Sequence, residues 1–276
     1  MSRWHRQMAV IAIALTAALP GAARAQTVPE TYKPTVGMAG KDAVWVPTSA
    51  AMVEKMLDLA RVTPQDVVMD LGSGDGRMII AAARRGARAI GVEYNAELVK
   101  LSEQTAAKEG VSERASFVQG DMFAADLSKA TVLALFLLPE HFKKLTPKFL
   151  ALRPGSRIVV NTFGIPDWEP DVIERLESGC ESWCEAKLYI VPANVGGTWQ
   201  IGGSTLALVQ NFQQVSGTLT ADGGSLQIER AALKGDEIRF TAAGRQYEGR
   251  VKGETIEGTV TTAGATEKFT ARRSAR

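Results

Sequence analysis

The sequence has little cysteine and little histidine, which limits the metal sites that it could build. It contains two cysteines, Cys180 and Cys184, in the segment CESWC, and two histidines, of which only His141 lies beyond the N-terminal segment. A structural zinc site needs more thiol or imidazole ligands than these can supply together. We therefore expect no metal site. In an oxidising compartment the two cysteines could form a disulfide, and otherwise they would be free thiols.

The sequence also lacks a clear excess of charge of one sign. It carries 32 basic and 30 acidic residues, a formal net charge of +2. Arg3, Arg6 and Arg24 lie within residues 1–25, so the remainder carries 29 basic and 30 acidic residues. Because nucleic-acid-binding proteins usually present an excess of positive charge, the composition gives no support for a nucleic-acid partner.

Long hydrophobic runs are missing as well. A basic start precedes the short apolar run of residues 8–19, a proline interrupts the run, and the letters AARA stand before Gln26. These three parts are typical of a secretory signal, whereas the run is short for a membrane span. We expect residues 1–25 to be a cleaved signal peptide and the protein to be exported to the periplasm without a stable membrane span. An uncleaved anchor is the alternative.

Between residues 42 and 195, short apolar segments alternate with segments of helical periodicity, after a linker predicted over residues 26–41. This alternation predicts a mostly parallel sheet with helices on both faces. The predicted helices span residues 52–59, 78–85, 96–108 and 141–152, and the predicted strands span residues 67–69, 87–92, 115–119, 131–137, 157–161 and 187–191.

Proline is absent from residue 197 onward, where apolar and polar residues alternate between glycine-containing turns. A period of two with frequent turns predicts antiparallel strands. We expect residues 196–276 to form a second, all-β domain of seven or eight strands, either a meander or a small barrel. Residues 198–201 could instead be the last strand of the first sheet.

The segment VVMDLGSGDGRMII, residues 67–80, places a glycine-rich bend between a predicted strand and a predicted helix. Glycines let a backbone approach a ligand closely, and a helix N-terminus offers free N–H groups. The dinucleotide pattern G-x-G-x-x-G is incomplete, because Arg77 stands where its third glycine belongs, and no Gly-Lys-Ser/Thr follows as in a Walker A loop. Nicotinamide and nucleoside triphosphate ligands are therefore disfavoured.

The letters DLGSGDG resemble motif I of the class I S-adenosylmethionine-dependent methyltransferases, and two further motifs follow in order. In that family an acidic residue after the second strand, here Glu93, binds the ribose hydroxyls, for which a carboxylate is suited. In the segment QGDMF, Asp121 corresponds to the residue that contacts the adenine amino group, and Met122 to the one that packs on the ring.

The resemblance implies an α/β fold with a Rossmann-like, doubly wound, mostly parallel seven-stranded sheet, and S-adenosyl-L-methionine as cofactor. The implied cofactor-binding residues in these motifs are Asp70, Leu71, Gly72, Ser73, Gly74, Asp75, Gly76, Glu93, Tyr94, Asp121 and Met122.

Three further segments, VWVPTSAAMVEKMLDLA, LFLLPEHFKKL and FGIPDWEPD, resemble the small protein-lysine methyltransferases that modify the c-ring protein of the mitochondrial ATP synthase and the adenine nucleotide translocator. This resemblance covers about residues 43–193. It implies that Val46, Pro47 and Thr48 lie over the cofactor and that the methyl acceptor is a protein. It also implies that the methyl-transfer channel is lined by Leu137, Leu138 and Pro139.

A lysine that accepts a methyl group must arrive neutral, and an apolar channel lowers its pKa by desolvation. The candidate residues for the apolar walls of this channel are Trp45, Phe136, Leu138, Phe163 and Trp168. Trp168 is assigned to the channel lining together with Leu138 and Pro139. The Asn/Asp-Pro-Pro-Tyr/Phe motif of adenine and glutamine methyltransferases is missing after the fourth strand, and no cysteine near the motifs could attack a cytosine.

The polar side chains after the fourth strand are interpreted as surface residues of a helix and not as catalytic groups. His141 could act as a base, but we expect it to be exposed at the start of a helix. Lys143, Lys144 and Lys148 are expected to form a solvated face of the same helix.

Two other functions stay open: an exported binding module that uses a methyltransferase-like scaffold and a β-barrel ligand site, and a methyltransferase for a small molecule or lipid. Export also raises a conflict, because S-adenosylmethionine is made in the cytosol. The cofactor could reach the periplasm, the domain could have changed its ligand, or translation could start at Met38, which would leave all three motifs intact.

Overall fold

The computed structural model describes residues 32–178, 180–221 and 223–274. The predicted signal peptide lies outside the described residues. The helices are α1 (Ala50–Leu59), α2 (Arg77–Arg84), α3 (Ala96–Lys108) and α4 (Pro139–Leu150). The strands that precede residue 195 are β1 (Val67–Leu71), β2 (Arg88–Glu93), β3 (Ala115–Gln119), β4 (Val132–Leu135), β5 (Arg157–Asn161), β6 (Val172–Arg175) and β7 (Glu185–Ile190). They are followed by β8 (Gly197–Ile201), β9 (Ser204–Asn211), β10 (Gln214–Ala221), β11 (Gly224–Gln227), β12 (Glu229–Lys234), β13 (Glu237–Ala242), β14 (Arg245–Lys252), β15 (Thr255–Thr262) and β16 (Ala265–Arg273).

The strands β1 to β7 form one sheet, in the order β3-β2-β1-β4-β5-β7-β6. The pairs from β3 to β5 are parallel, whereas β7 runs antiparallel to both β5 and β6. The predicted Rossmann-like α/β fold is confirmed. The strand order reverses between β1 and β4, and at such a switch point the carboxyl ends of the strands border a crevice that can hold a ligand.

The central strands are apolar on both sides because helices cover both faces of the sheet. One face packs against α1 and α2, where Met52, Met56 and Ile79 are fully buried. The other face packs against α4, where Phe142 and Phe149 are fully buried. Because helices bury both faces of this sheet, a ligand site is expected at the ends of the strands.

The strands β8 to β16 form an antiparallel meander that curls into a nearly closed barrel. The last strand, β16, pairs with β8, while β10 pairs with β11 and β13 with β12. The strands β11 and β12, at opposite ends of the strand order, follow each other directly in the chain. The register of β12 against β13 shifts after Glu229, so this bent segment links the two edges of the sheet. Buried side chains fill the interior, among them Trp199, Phe240 and Tyr247.

Three features differ from the sequence predictions. Within the described residues the second domain has nine strands, β8 to β16, where seven or eight were expected. The prediction for residues 198–201 that placed them in the first sheet is wrong, because β8 pairs with β9 and β16. The strand β6 was not predicted, since its residues are mostly exposed and carry little apolar periodicity. None of the helices in the described part of the chain is long and apolar enough to cross a membrane.

Candidate functional site

A cavity of about 470 Å³ opens at the carboxyl ends of β1, β2 and β4. Its volume falls within the range of small-molecule sites, about 300–1,000 Å³. The segment of residues 38–48, which precedes α1, forms one wall, and the glycine-rich bend after β1 forms another. The cavity therefore lies at the switch point of the sheet.

Three glycines with positive φ allow the bend after β1 to pack closely against neighbouring side chains. Gly72, Gly74 and Gly76 have φ of 73°, 56° and 78°, a region that favours glycine. A Cβ atom at Gly74 would lie 2.6 Å from Nε1 of Trp45, and one at Gly76 would lie 2.7 Å from the Phe117 ring. Larger residues at these two positions would displace the bend, whereas Gly72 has more room.

Glu93 ends β2 and presents a fixed carboxylate to the cavity. Its Oε2 accepts a hydrogen bond from the Gly74 N–H and its Oε1 accepts one from the Asn95 N–H, each at 2.9 Å. A carboxylate oxygen can accept a second hydrogen bond. Glu93 therefore offers two oriented acceptors side by side, an arrangement suited to a pair of neighbouring hydroxyls.

Asp121 lies beyond the end of β3 and holds two partners. Its Oδ1 accepts a hydrogen bond from the Phe123 N–H at 2.8 Å, and its Oδ2 accepts one from the Lys41 ammonium at 2.7 Å. The bond from Lys41 is the main reason that the pKa of Asp121 is lowered. Sequence reasoning missed Lys41, because it falls in a segment whose composition suggested a linker.

Asp70 lies buried at the base of the cavity, at the end of β1. Burial raises the pKa of Asp70 well above its usual value, and the neighbouring Glu93 and Asp75 carboxylates raise it further. Asp75 is bonded to Arg77, whose Nη1 donates a hydrogen bond to the Thr48 carbonyl at 2.7 Å. This pair ties the segment before α1 to the glycine-rich bend.

Most of the predicted cofactor-binding residues line this cavity. The lining includes Pro47, Thr48, Asp70, Gly72, Ser73, Gly74, Asp75, Glu93, Tyr94, Asp121 and Met122. Leu71 is buried in the core instead, and Gly76 packs between Phe117 and Ser102.

The predicted channel residues are more scattered. Phe136 and Leu137 line the cavity, while Leu138 and the exposed Pro139 follow them at the start of α4. The structure corrects the assignment of Trp168, which is 3% exposed and lies outside the cavity lining. Its ring stacks on Phe212 of the barrel, so it packs the junction between the two sheets.

Two expectations for α4 are also wrong. His141 is 3% exposed because its ring packs edge-on against Phe123. Lys148 does not extend into solvent with Lys143 and Lys144, because its ammonium donates hydrogen bonds to the carbonyls of residues 123 and 125.

The residues present fit S-adenosylmethionine. The paired acceptors of Glu93 suit ribose hydroxyls, and the carboxylates of Asp70, Asp121 and Glu93 suit a cationic ligand. The exposed backbone at Gly72 and the apolar side chain of Met122 complete a lining for a nucleoside with a charged tail.

Comparison with known proteins agrees with this site. Residues 70–172 match the sequence profile of the ANTKMT methyltransferase domain, a segment that contains all three motifs. A protein-lysine N-methyltransferase from Saccharolobus islandicus is 42% identical over 138 residues, which cover 49% of this chain and 86% of that protein. The adenine nucleotide translocase lysine N-methyltransferase of Mus musculus is 38% identical over 128 residues, which cover 46% of this chain and 56% of that relative.

A solved structure is also similar. The crystal structure of an RNA methyltransferase from Salinibacter ruber in complex with S-adenosyl-L-homocysteine is 41% identical, with a TM-score of 0.51, and the match covers 54% of this chain and 96% of that chain. The Saccharolobus protein is the relative that the chain covers most fully among the curated proteins named above, at 86% of its length. The chain belongs to the family of S-adenosylmethionine-dependent methyltransferases that the Saccharolobus protein represents.

Proposed function

We propose that this methyltransferase acts on the side-chain amine of a protein lysine. The observation that carries the proposal is the wall of residues 134–137, where the cavity meets the end of β4. This wall reads Ala-Leu-Phe-Leu and contains no ionisable or hydrogen-bonding side chain. An apolar wall removes water from an approaching ammonium and lowers its pKa, which favours the neutral, nucleophilic amine.

The chain's own residues would hold the reactants and exclude water. S-adenosylmethionine, when bound, supplies a methyl group on a positively charged sulfur. Glu93 and Asp121 would hold its nucleoside, and the bend at Gly72 would accommodate its amino-acid tail. Phe136 and Leu137 would then exclude water from the lysine amine and align it with the methyl group of the cofactor.

Two relatives support a lysine acceptor by their names, since the Saccharolobus and mouse proteins are lysine N-methyltransferases. The match covers 56% of the mouse relative, so the chain spans about half the length of that protein. The barrel gives no support to the alternative of an apolar ligand site, because Trp199, Phe240 and Tyr247 are buried inside it.

The test is to incubate the full chain with radiolabelled S-adenosylmethionine and, separately, poly-L-lysine, total RNA and a lipid extract. We expect the label to enter poly-L-lysine as Nε-methyl-lysine, identified by mass spectrometry after hydrolysis. The variant Glu93→Ala should lose the signal, whereas Glu97→Ala, an exposed carboxylate on α3, should retain it. Label in RNA or lipid without label in lysine would overturn the proposal.

We further propose that the protein is exported. The signal-like N-terminal sequence supports this, and so does the disulfide between Cys180 and Cys184, since disulfides persist in oxidising compartments. Fractionation with N-terminal sequencing tests it: a periplasmic chain that begins at Gln26 is expected. A cytosolic chain that begins at Met38 would contradict it and would also lack the Tyr32 hydroxyl that donates to the Met38 sulfur.

A further inference from the structure

Three aromatic rings form a continuous group from the cofactor cavity to the surface. Phe136, after β4, lines the cavity. Its ring lies 6.2 Å from the Phe163 ring in a stacked arrangement and 5.7 Å from the Trp183 ring in an edge-on arrangement. Phe163 follows β5 and Trp183 precedes β7, so loops at the ends of three strands supply the three rings.

Trp183 occupies its place at an energetic cost. Its side chain is 41% exposed, and its φ of 56° is unfavourable for a residue with a Cβ atom. It stands inside the small loop that the disulfide between Cys180 and Cys184 closes. The disulfide and the contact with Phe136 hold Trp183 over the outer end of the group, where burial alone would not keep it.

The segment around Trp183 carries negative charge. Residues 174–187 carry four glutamates against Arg175 and Lys187, so acidic residues are in excess, and Glu177 and Glu181 are exposed. Glu185 is paired with Lys187. Negative charge beside aromatic faces attracts an ammonium group, and the same charge repels the phosphates of a nucleic acid.

We infer that Phe136, Phe163 and Trp183 form the entrance that receives the acceptor lysine, and that the disulfide loop positions Trp183 as its outer wall. This inference rests on the proposed lysine acceptor and adds the residues that select it. The faces of the aromatic rings bind the lysine ammonium at the surface. The side chain then packs along Phe136 and reaches the apolar wall of residues 134–137 in the cavity. Trp183 is thus a specificity-determining residue supplied by a loop beyond the matched family segment, which ends at residue 172.

Binding is tested by nuclear magnetic resonance on the full chain with ¹⁵N-labelled tryptophan and bound S-adenosylhomocysteine. The variant Trp183→Phe assigns the Trp183 indole signal. We expect Nα-acetyl-lysine amide to shift this signal with saturation, and its Nε-acetylated analogue, which lacks the charge, to leave it in place. An unmoved signal, or one that moves only with an RNA oligonucleotide, would overturn the inference whether or not lysine methylation is seen.

Kinetics provide a second test with poly-L-lysine as acceptor. We expect Trp183→Ala to raise the KM for the polymer about tenfold, the scale of a partly desolvated cation–π contact, with little change in kcat or in the Kd of S-adenosylmethionine. Trp183→Phe should restore most of the KM, and Val209→Ala, a control at an exposed position on the barrel, should match the wild type. The double variant Cys180→Ser/Cys184→Ser should also raise the KM, because the disulfide that positions Trp183 is lost.

An unchanged KM in Trp183→Ala would show that the acceptor enters elsewhere. If the wild-type chain does not methylate the polymer, the proposed function fails for this acceptor, and the resonance experiment still decides whether Trp183 receives a lysine side chain.

Discussion

The ammonium of Lys41 lies 2.7 Å from Oδ2 of Asp121 and 5.0 Å from the centre of the Tyr94 ring. This contact joins the segment before α1 to the end of β3, two parts of the chain that are 80 residues apart. Family resemblance assigns Asp121 to the adenine amino group. If Asp121 binds the adenine amino group as the resemblance implies, its carboxylate would be shared between that amino group and the Lys41 ammonium.

Replacement of Lys41 by methionine should strengthen cofactor binding, because the Asp121 carboxylate, no longer neutralised and positioned by the ammonium, becomes a stronger acceptor for the adenine amino group. An exposed ion pair is weak, so we expect the Kd to fall by a factor of about two to five. Titration calorimetry at low and high salt measures this, and the gain over the wild type should shrink at high salt as the ion pair is screened. Lys33→Met, also before α1, is the control. Weaker binding by Lys41→Met would instead show that Lys41 holds the wall of the cavity in place.

Replacement of Glu93 by alanine should weaken cofactor binding by about 1.5–3 kcal/mol, the scale of a hydrogen bond to a charged group. The physical reason is the loss of two oriented acceptors, together with the partner of the Gly74 N–H. Calorimetry with S-adenosylmethionine measures the change, and Glu97→Ala serves as the matched control. An unchanged Kd in Glu93→Ala would show that the nucleoside binds away from the end of β2.

The stability of the protein without cofactor should depend on pH through Asp70. The pKa of Asp70 is raised in the folded protein by burial and by the Glu93 and Asp75 carboxylates. The favourable contribution of protonated Asp70 is therefore complete below the unfolded-state pKa of about 3.9 and is lost as the pH rises through the folded-state pKa. Asp70→Asn should gain stability relative to the wild type as the pH rises, measured by urea unfolding. Parallel pH profiles for the two proteins would contradict this.

The sequence is most informative where the structure is local. The bend after β1, Glu93 after β2 and Asp121 after β3 each belong to one strand end, and parallel strands bring their carboxyl ends to a common edge. The approximate extents of α1 to α4 and most strands of the first sheet follow from apolar periodicity for the same reason.

Contacts between distant segments are not encoded in such patterns. Lys41 contacts Asp121, and Trp183 contacts Phe136, across separations that no local motif reports. An aromatic residue after a strand, such as Trp168, is equally compatible in sequence with a channel wall and with a core. Likewise, His141 is polar and near a helix start, yet the Phe123 ring covers it.

Trp168 gives the clearest case in which a measurement separates the two interpretations. Its ring lies 4.9 Å from the Phe212 ring, with planes 9° apart, and 5.4 Å from the Tyr189 ring. Phe212 stands between β9 and β10, so the stack joins the barrel to the loop after β5. The Gln213 side-chain amide also donates to the Glu169 carbonyl at 2.6 Å, which reinforces the same junction.

Replacement of Trp168 by alanine should therefore lower the free energy of unfolding by about 3–5 kcal/mol, the cost of removing a buried aromatic side chain. Trp168→Phe retains the stacking and should lose less. A double-mutant cycle with Phe212→Ala should give a coupling of about 0.5–1.5 kcal/mol, measured by denaturant unfolding. Cofactor affinity and the KM for poly-L-lysine should stay near the wild-type values in the folded variant, because Trp168 lies outside the cavity lining. A large rise in that KM with no loss of stability would place Trp168 in the acceptor channel after all, since a junction residue acts on unfolding and a channel wall acts on the substrate.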